Sequence, residues 1–243
     1  MGEDEPVAIF TPDNEPYLGL PWVHELDLLI SSSAVLSQQV GAWSRRANLT
    51  DLQHAVAEIA PSAFSVALSI REMVRQGYLL SGYVLLRPLM ERAATICHLA
   101  QHPEDVPLWR SGWAWKDRPK LQDRLRALAT TPDGQVVEPM LDVFKQVVKT
   151  YNGLIHGDPV AASFSLSADV DGPVFLAAKD LVSPQRADTL CFDAHLFLLL
   201  MTGRVRLLFP EPARAAQRIR PYAPRTTDVW PPSDVRDPLA KPR

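Results

Sequence analysis

Residues 78–101 read YLLSGYVLLRPLMERAATICHLAQ, and this stretch decides the fold class. It carries apolar side chains around most of a helical circumference, the pattern of a helix built for burial. Its polar residues Arg87, Glu91, Thr95 and His98 are spaced four, four and three apart, so they share one face. An arginine four residues before a glutamate is the weaker orientation for local helix support, so the pair points to a partly buried polar site. The plainer reading is the solvent side of a core helix. Pro88 lies inside the same helix, deprives the Val84 carbonyl of its donor and predicts a kink beside Arg87.

Working outward, helical periodicity recurs on both sides. Trp22 to Arg46 carries Trp22, Leu26, Leu29, Ile30, Leu36 and Val40 at helical spacing. Thr50 or Asp51 offers the N-cap of a second helix, in which Pro61 marks a kink or a fresh start. Gly77 separates it from the central stretch. Beyond Gln101 come a tryptophan-rich segment (Trp109, Trp113, Trp115), a short amphipathic helix over Lys120–Leu128, and a turn at Thr131-Pro132-Asp133-Gly134. Pro139 opens a helix to Ile155, and Pro184 opens the last one, to Leu208. Between them Ser163 to Ser167 alternates with period two, Asp171-Gly172 supplies a turn, and Val174-Phe175-Leu176 follows, which predicts a hairpin. The expected fold is mainly α: a single helical bundle with one small β-hairpin inserted before the last helix.

The bulk composition sets the limits. Net charge is −3, with 47% hydrophobic and 22% charged residues, as in ordinary globular proteins. Of the 22 prolines, four lie in residues 1–21 and eight in 210–243. The expected division is an acidic proline-rich tail (1–21), a helical domain (22–209) and a basic proline-rich tail (210–243), the tails weakly ordered. Cys97 and Cys191 are too few for a disulfide framework or a four-cysteine zinc site, and both read as reduced core thiols. The acidic N-terminus is unlike a secretory or transit signal, and Ala194–Leu208 is interrupted by His195, Arg204 and Arg206. A cytoplasmic protein with no membrane span, metal or cofactor is therefore expected. The basic residues of Lys116–Arg126, beside the tryptophans, could hold RNA, though a solvated helix face is the plainer reading. Arg45, Arg46, Arg71 and Arg75 read as surface.

A second polar stripe, Lys145, Lys149, Asn152 and His156, runs along the helix that Pro139 opens, at spacings of four, three and four. Gly157 is a fitting left-handed terminator, which puts His156 in the last turn. A histidine at the negative end of a helix suits proton transfer or an ion pair, and as often simply caps the helix.

Asn152-(three residues)-His156-Gly157 at a helix end, together with Arg87-Pro-Leu-Met-Glu91 on a long earlier helix, resembles the signature of the HEPN superfamily. With the hairpin after the histidine, the chain resembles a group of uncharacterised prokaryotic HEPN-like proteins over about residues 24–209. The resemblance implies a helical domain that forms a homodimer and often acts as a metal-independent endoribonuclease, in phage defence or as a toxin held by an antitoxin. His156 matches the family histidine and Asn152 the polar residue that follows its arginine. Tyr151 stands where active members place that arginine. Lys149 could supply charge without the planar fork that grips phosphate.

RNA cleavage by the 2′-hydroxyl needs a base, an acid and a cation at the phosphate. His156, Glu91 and one of Arg87 or Lys149 are the candidates, with Lys145 and Lys149 binding nucleic acid. Two readings remain open: a ribonuclease or toxin, and a catalytically inactive HEPN-like module that binds RNA or a protein partner. In the second, Arg87, Glu91, Asn152 and His156 satisfy one another as a polar network that fixes helix register.

Overall fold

The computed structural model describes residues 15–114, 116, 118–169, 172–175 and 179–218. Most of both expected tails, Trp115, Asp171 and Leu176 lie outside the described residues. The elements are α1 (Pro21–Ser44), α2 (Asp51–Gln76), α3 (Leu79–Gln101), α4 (Val106–Arg110), α5 (Leu121–Leu128), α6 (Glu138–His156), α7 (Pro159–Ala162), β1 (Leu166–Asp169), β2 (Gly172–Phe175), α8 (Pro184–Leu208) and α9 (Pro210–Gln217). The chain is mainly α. β1 and β2 pair antiparallel, with Leu166 opposite Phe175 and Asp169 opposite Gly172. Ser163–Ser165, which the alternation assigned to a strand, forms a 3₁₀ turn instead.

Local chemistry explains the main boundaries. Thr50 caps α2 through a capping box: its hydroxyl accepts from the Gln53 amide, and the Gln53 side chain accepts from the Thr50 amide. Pro61 and Pro88 both sit inside unbroken helices. The broken ladder is tolerated because tertiary packing outweighs the local cost.

α3 is the centre of the bundle, packed by α2, α8, α5 and α6, while α1 closes the far side against α2, α8 and α9. Leu86, Leu89, Met90, Ala93, Ala94, Ile96, Cys97 and Leu99 of α3 are all buried. Gly82 is needed for the approach of α8: a Cβ there would lie 2.6 Å from the Leu190 Cδ2. Each buried aliphatic side chain of this core contributes on the order of 1.5–3 kcal/mol.

Three expectations drawn from local composition are corrected. The end of the acidic tail is docked: Tyr17 is fully buried, and its hydroxyl donates to the carbonyl of buried Asp180, just ahead of α8. Burial, then the Asp180 charge, pushes the Tyr17 phenol above its ordinary range. The start of the basic tail is helical. Pro210 falls in the first turn of α9, where its missing N–H costs nothing, and Pro212, Ala213 and Ala216 are buried. Glu211 accepts a hydrogen bond from the Trp43 indole at 3.0 Å, tying α9 to α1. Finally, Arg71 is not surface: it grips Asp27 of α1 through Nε at 2.7 Å and Nη2 at 3.0 Å, and it also pairs with Glu15. A bidentate pair with little exposure is among the stronger polar contacts.

The docking of residues 15–20 makes a stability prediction. Tyr17→Phe, which orphans the Asp180 carbonyl, should cost about 1–3 kcal/mol, and Tyr17→Ala about 3–5 kcal/mol. Urea denaturation reads both; losses under about 0.5 kcal/mol would mean a segment loosely attached to the body.

Candidate functional site

The two polar stripes meet. α6 packs on α3, and the Arg87 Nη1 donates to the Asn152 side-chain oxygen across that contact. On its own helix Arg87 also donates through Nε to Glu91 at 3.0 Å, so a cation is held between a carboxylate and an amide. The other carboxylate oxygen of Glu91 lies 3.8 Å from the Arg118 guanidinium. One turn further along α3, the Thr95 hydroxyl donates to the Glu91 carbonyl at 2.8 Å and accepts from the Arg124 Nη1 at 3.1 Å. The site is therefore a chain of polar groups from α6 through α3 to α5, with Arg87, Arg118 and Arg124 gathered around Glu91.

Arg124 overturns the expectation of a solvated basic face on α5. It is 4% exposed, and its guanidinium lies 5.9 Å from the centre of the Trp113 ring. Burial first, and then the like charges of Arg118 and Arg87, push its pKa down, against the pull of Glu91. A signal for this was present in the sequence: Leu121, Arg124, Leu125 and Leu128 follow one helical stripe, so Arg124 sits among the core-facing positions of α5.

The remaining candidates stand outside the hydrogen-bonded chain. His156 is exposed in the last turn of α6, which Gly157 ends in the left-handed region at φ 72°. It lies one turn from Asn152, so the two share a helix face beside Arg87. Among the described residues His156 and Lys149 have no hydrogen-bonded or ionic partner. Lys145 pairs with Asp142 of its own helix at 2.9 Å. His98, fourth in the α3 stripe, turns instead to Asp105 at 2.8 Å. No helix among the described residues is long and apolar enough to cross a membrane.

Tyr151 has a structural assignment of its own. It is 2% exposed, and its hydroxyl donates to Asp193 of α8 at 3.0 Å. Burial pushes the Asp193 carboxyl up to about 6, and the Tyr151 hydrogen bond only partly opposes it. Tyr151 thus ties α6 to α8, while Asn152, the next residue, meets Arg87 of α3.

No family model, curated protein or solved structure matches the chain.

The Asp193 carboxyl carries a pH signature. Its pKa is higher folded than the ordinary 3.8, so the unfolded chain gives up its proton first as pH rises. Stability is lost between about pH 4 and pH 6 and stays lower above, by on the order of 2–3 kcal/mol. Asp193→Asn keeps an acceptor for Tyr151 and cannot ionise. Urea titrations should find the variant and wild type alike near pH 4, with the variant the more stable by about that amount at pH 7. Parallel pH profiles would contradict this assignment.

Proposed function

We propose that this protein is a HEPN-like domain acting on RNA, a metal-independent endoribonuclease working in the cytoplasm as a toxin in phage defence or stress response. The observation that carries the reading is the Arg87–Asn152 hydrogen bond, which joins the two motifs one helical turn from exposed His156. In this reading the cation that active members take from the residue before the polar one is supplied across the helix pair by Arg87. The β1–β2 hairpin ahead of α8 agrees with the same group of HEPN-like proteins.

The chemistry follows from these positions. His156, open to solvent, takes the proton of a ribose 2′-hydroxyl, and the 2′-oxygen attacks the adjoining phosphorus. Arg87, held by Glu91, stabilises the charge that builds on the phosphate oxygens, and Lys149 and Lys145 attract the strand along the α6 stripe. The P–O5′ bond breaks and the 5′-oxygen takes the proton back from the imidazolium. The products are a 2′,3′-cyclic phosphate and a 5′-hydroxyl.

Cleavage of varied single-stranded RNAs in EDTA tests this. Wild type should cut, and His156→Ala should fall by about 10²–10⁴-fold. Absence of cutting by wild type across all substrates would overturn the nuclease reading. The burial of Tyr151 where active members carry arginine favours a second reading, an inactive HEPN-like module that binds RNA or a protein partner such as an antitoxin. RNA retention without cleavage in the same assay identifies it.

A homodimer belongs to the proposal. Phe192, Leu199 and Leu207 of α8 are large apolar residues left exposed along one stripe, and Gly203 between them has open space over its Cα. Light scattering at micromolar concentration should give twice the chain mass, and Leu199→Glu should give the monomer. A wild-type monomer would remove the dimer from the proposal.

A further inference from the structure

A second feature lies on the other side of Glu91 from Asn152. Between α2, α3, α4 and α5 there is a cleft of about 260 Å³, lined by Glu91, Arg92, Arg118 and Arg124 together with Ile59 and Trp109. Three arginines face one carboxylate, and that carboxylate is already engaged by Arg87 at 3.0 Å. The cleft therefore holds more positive charge than the protein neutralises among its described residues.

Arg124 is the strongest indicator. It is nine-tenths buried and more, and only its Nη1 has a hydrogen-bond partner among the described residues, the Thr95 hydroxyl. Its Nε is fully buried without one. Its Nη2, also without a partner, is the donor left accessible, and guanidinium donors left unmet in a buried site cost free energy that an anion would recover. Arg92 is fixed at the rim by the Ser62 hydroxyl and the Pro88 carbonyl, each at 3.0 Å, so its charge is held in place. The lowered pKa of Arg124 has the same origin: a buried cation crowded by like charges, which a bound anion would relieve.

We propose that this cleft binds a phosphate monoester, with Arg92, Arg118 and Arg124 holding the phosphate and Trp109 lying against its organic part. The volume sits just under the range of about 300–1,000 Å³ usual for organic ligands, which suits a small ester such as a mononucleotide. A guanidinium fork matches phosphate geometry, and a half-buried tryptophan offers a stacking surface for a base. This site does not depend on RNA cleavage.

Calorimetry and thermal unfolding of the full chain with inorganic phosphate, AMP and adenosine, at constant ionic strength, test it. Phosphate and AMP should raise Tm with concentration as mass action requires, adenosine should not, and AMP should bind about tenfold tighter than phosphate. Arg118→Ala, at an exposed position, should weaken both by roughly tenfold. Arg124→Lys keeps the charge but cannot hold Thr95 and reach the anion with separate planar donors, and should do the same, with circular dichroism confirming the fold. Trp109→Ala should remove the advantage of AMP over phosphate. The proposal is overturned if phosphate and AMP act no more strongly than sodium chloride, or if both arginine variants bind AMP as wild type does. It is also overturned if an RNA oligonucleotide lacking a terminal phosphate binds through these arginines as well as its 5′-phosphorylated form, which would make the cleft a diester subsite.

Discussion

A helix enclosed on nearly every side has to find partners within the bundle for whatever charge it carries. α3 is that helix: α2, α5, α6 and α8 surround it, and it carries Arg87 and Glu91 near its middle. Water reaches these two groups only in part, each side chain being between a quarter and a third exposed. Their pairing with each other is incomplete satisfaction, because a guanidinium has five donors and a carboxylate about four acceptor sites. The surplus is met from neighbouring segments, by Asn152 of α6 on the Arg87 side and by Arg118, just ahead of α5, on the Glu91 side. Thr95 extends the chain to Arg124.

This network links α6 and α5 to α3 through directional contacts, which apolar packing lacks. Its cost is substantial, since a buried guanidinium gives up hydration that its partners must replace. Apolar residues of similar volume would often serve stability as well or better, so three arginines around one glutamate suggest a use beyond folding. Arg87 and Arg124 differ in what they leave open. Arg87 is closed into contacts with Glu91 and Asn152 and stands beside exposed His156, whereas Arg124 keeps unmet donors at a cleft.

Helix chemistry that acts over three or four residues was legible in the chain before folding. The largely buried helix within residues 78–101, the two polar stripes, an N-cap at Thr50 or Asp51 and the Gly157 terminator all follow from backbone hydrogen bonding and a period of 3.6 residues. Each needs only its near neighbours in sequence. Arg71 is misread as surface, because local pattern cannot say which helix will cover a given face. Arg124 is misread because its charge is weighed above the apolar stripe it shares with Leu121, Leu125 and Leu128. Composition, in turn, places Pro210–Gln217 in a tail, because proline content marks disorder and helix starts alike.

What folding adds are contacts between residues far apart in the chain: Tyr17 with Asp180, Arg71 with Asp27, Arg87 with Asn152, Tyr151 with Asp193. Each depends on the angle and depth at which two helices pack, and those are set by how whole ridges of side chains interlock. Residue types and local spacing therefore placed Arg87, Glu91, Asn152 and His156 on their helices as candidates. The packing of α6 against α3 joined Asn152 to the Arg87–Glu91 pair and left His156 open, because hydrogen bonds reach only about 3 Å and no sequence interval measures that distance between helices.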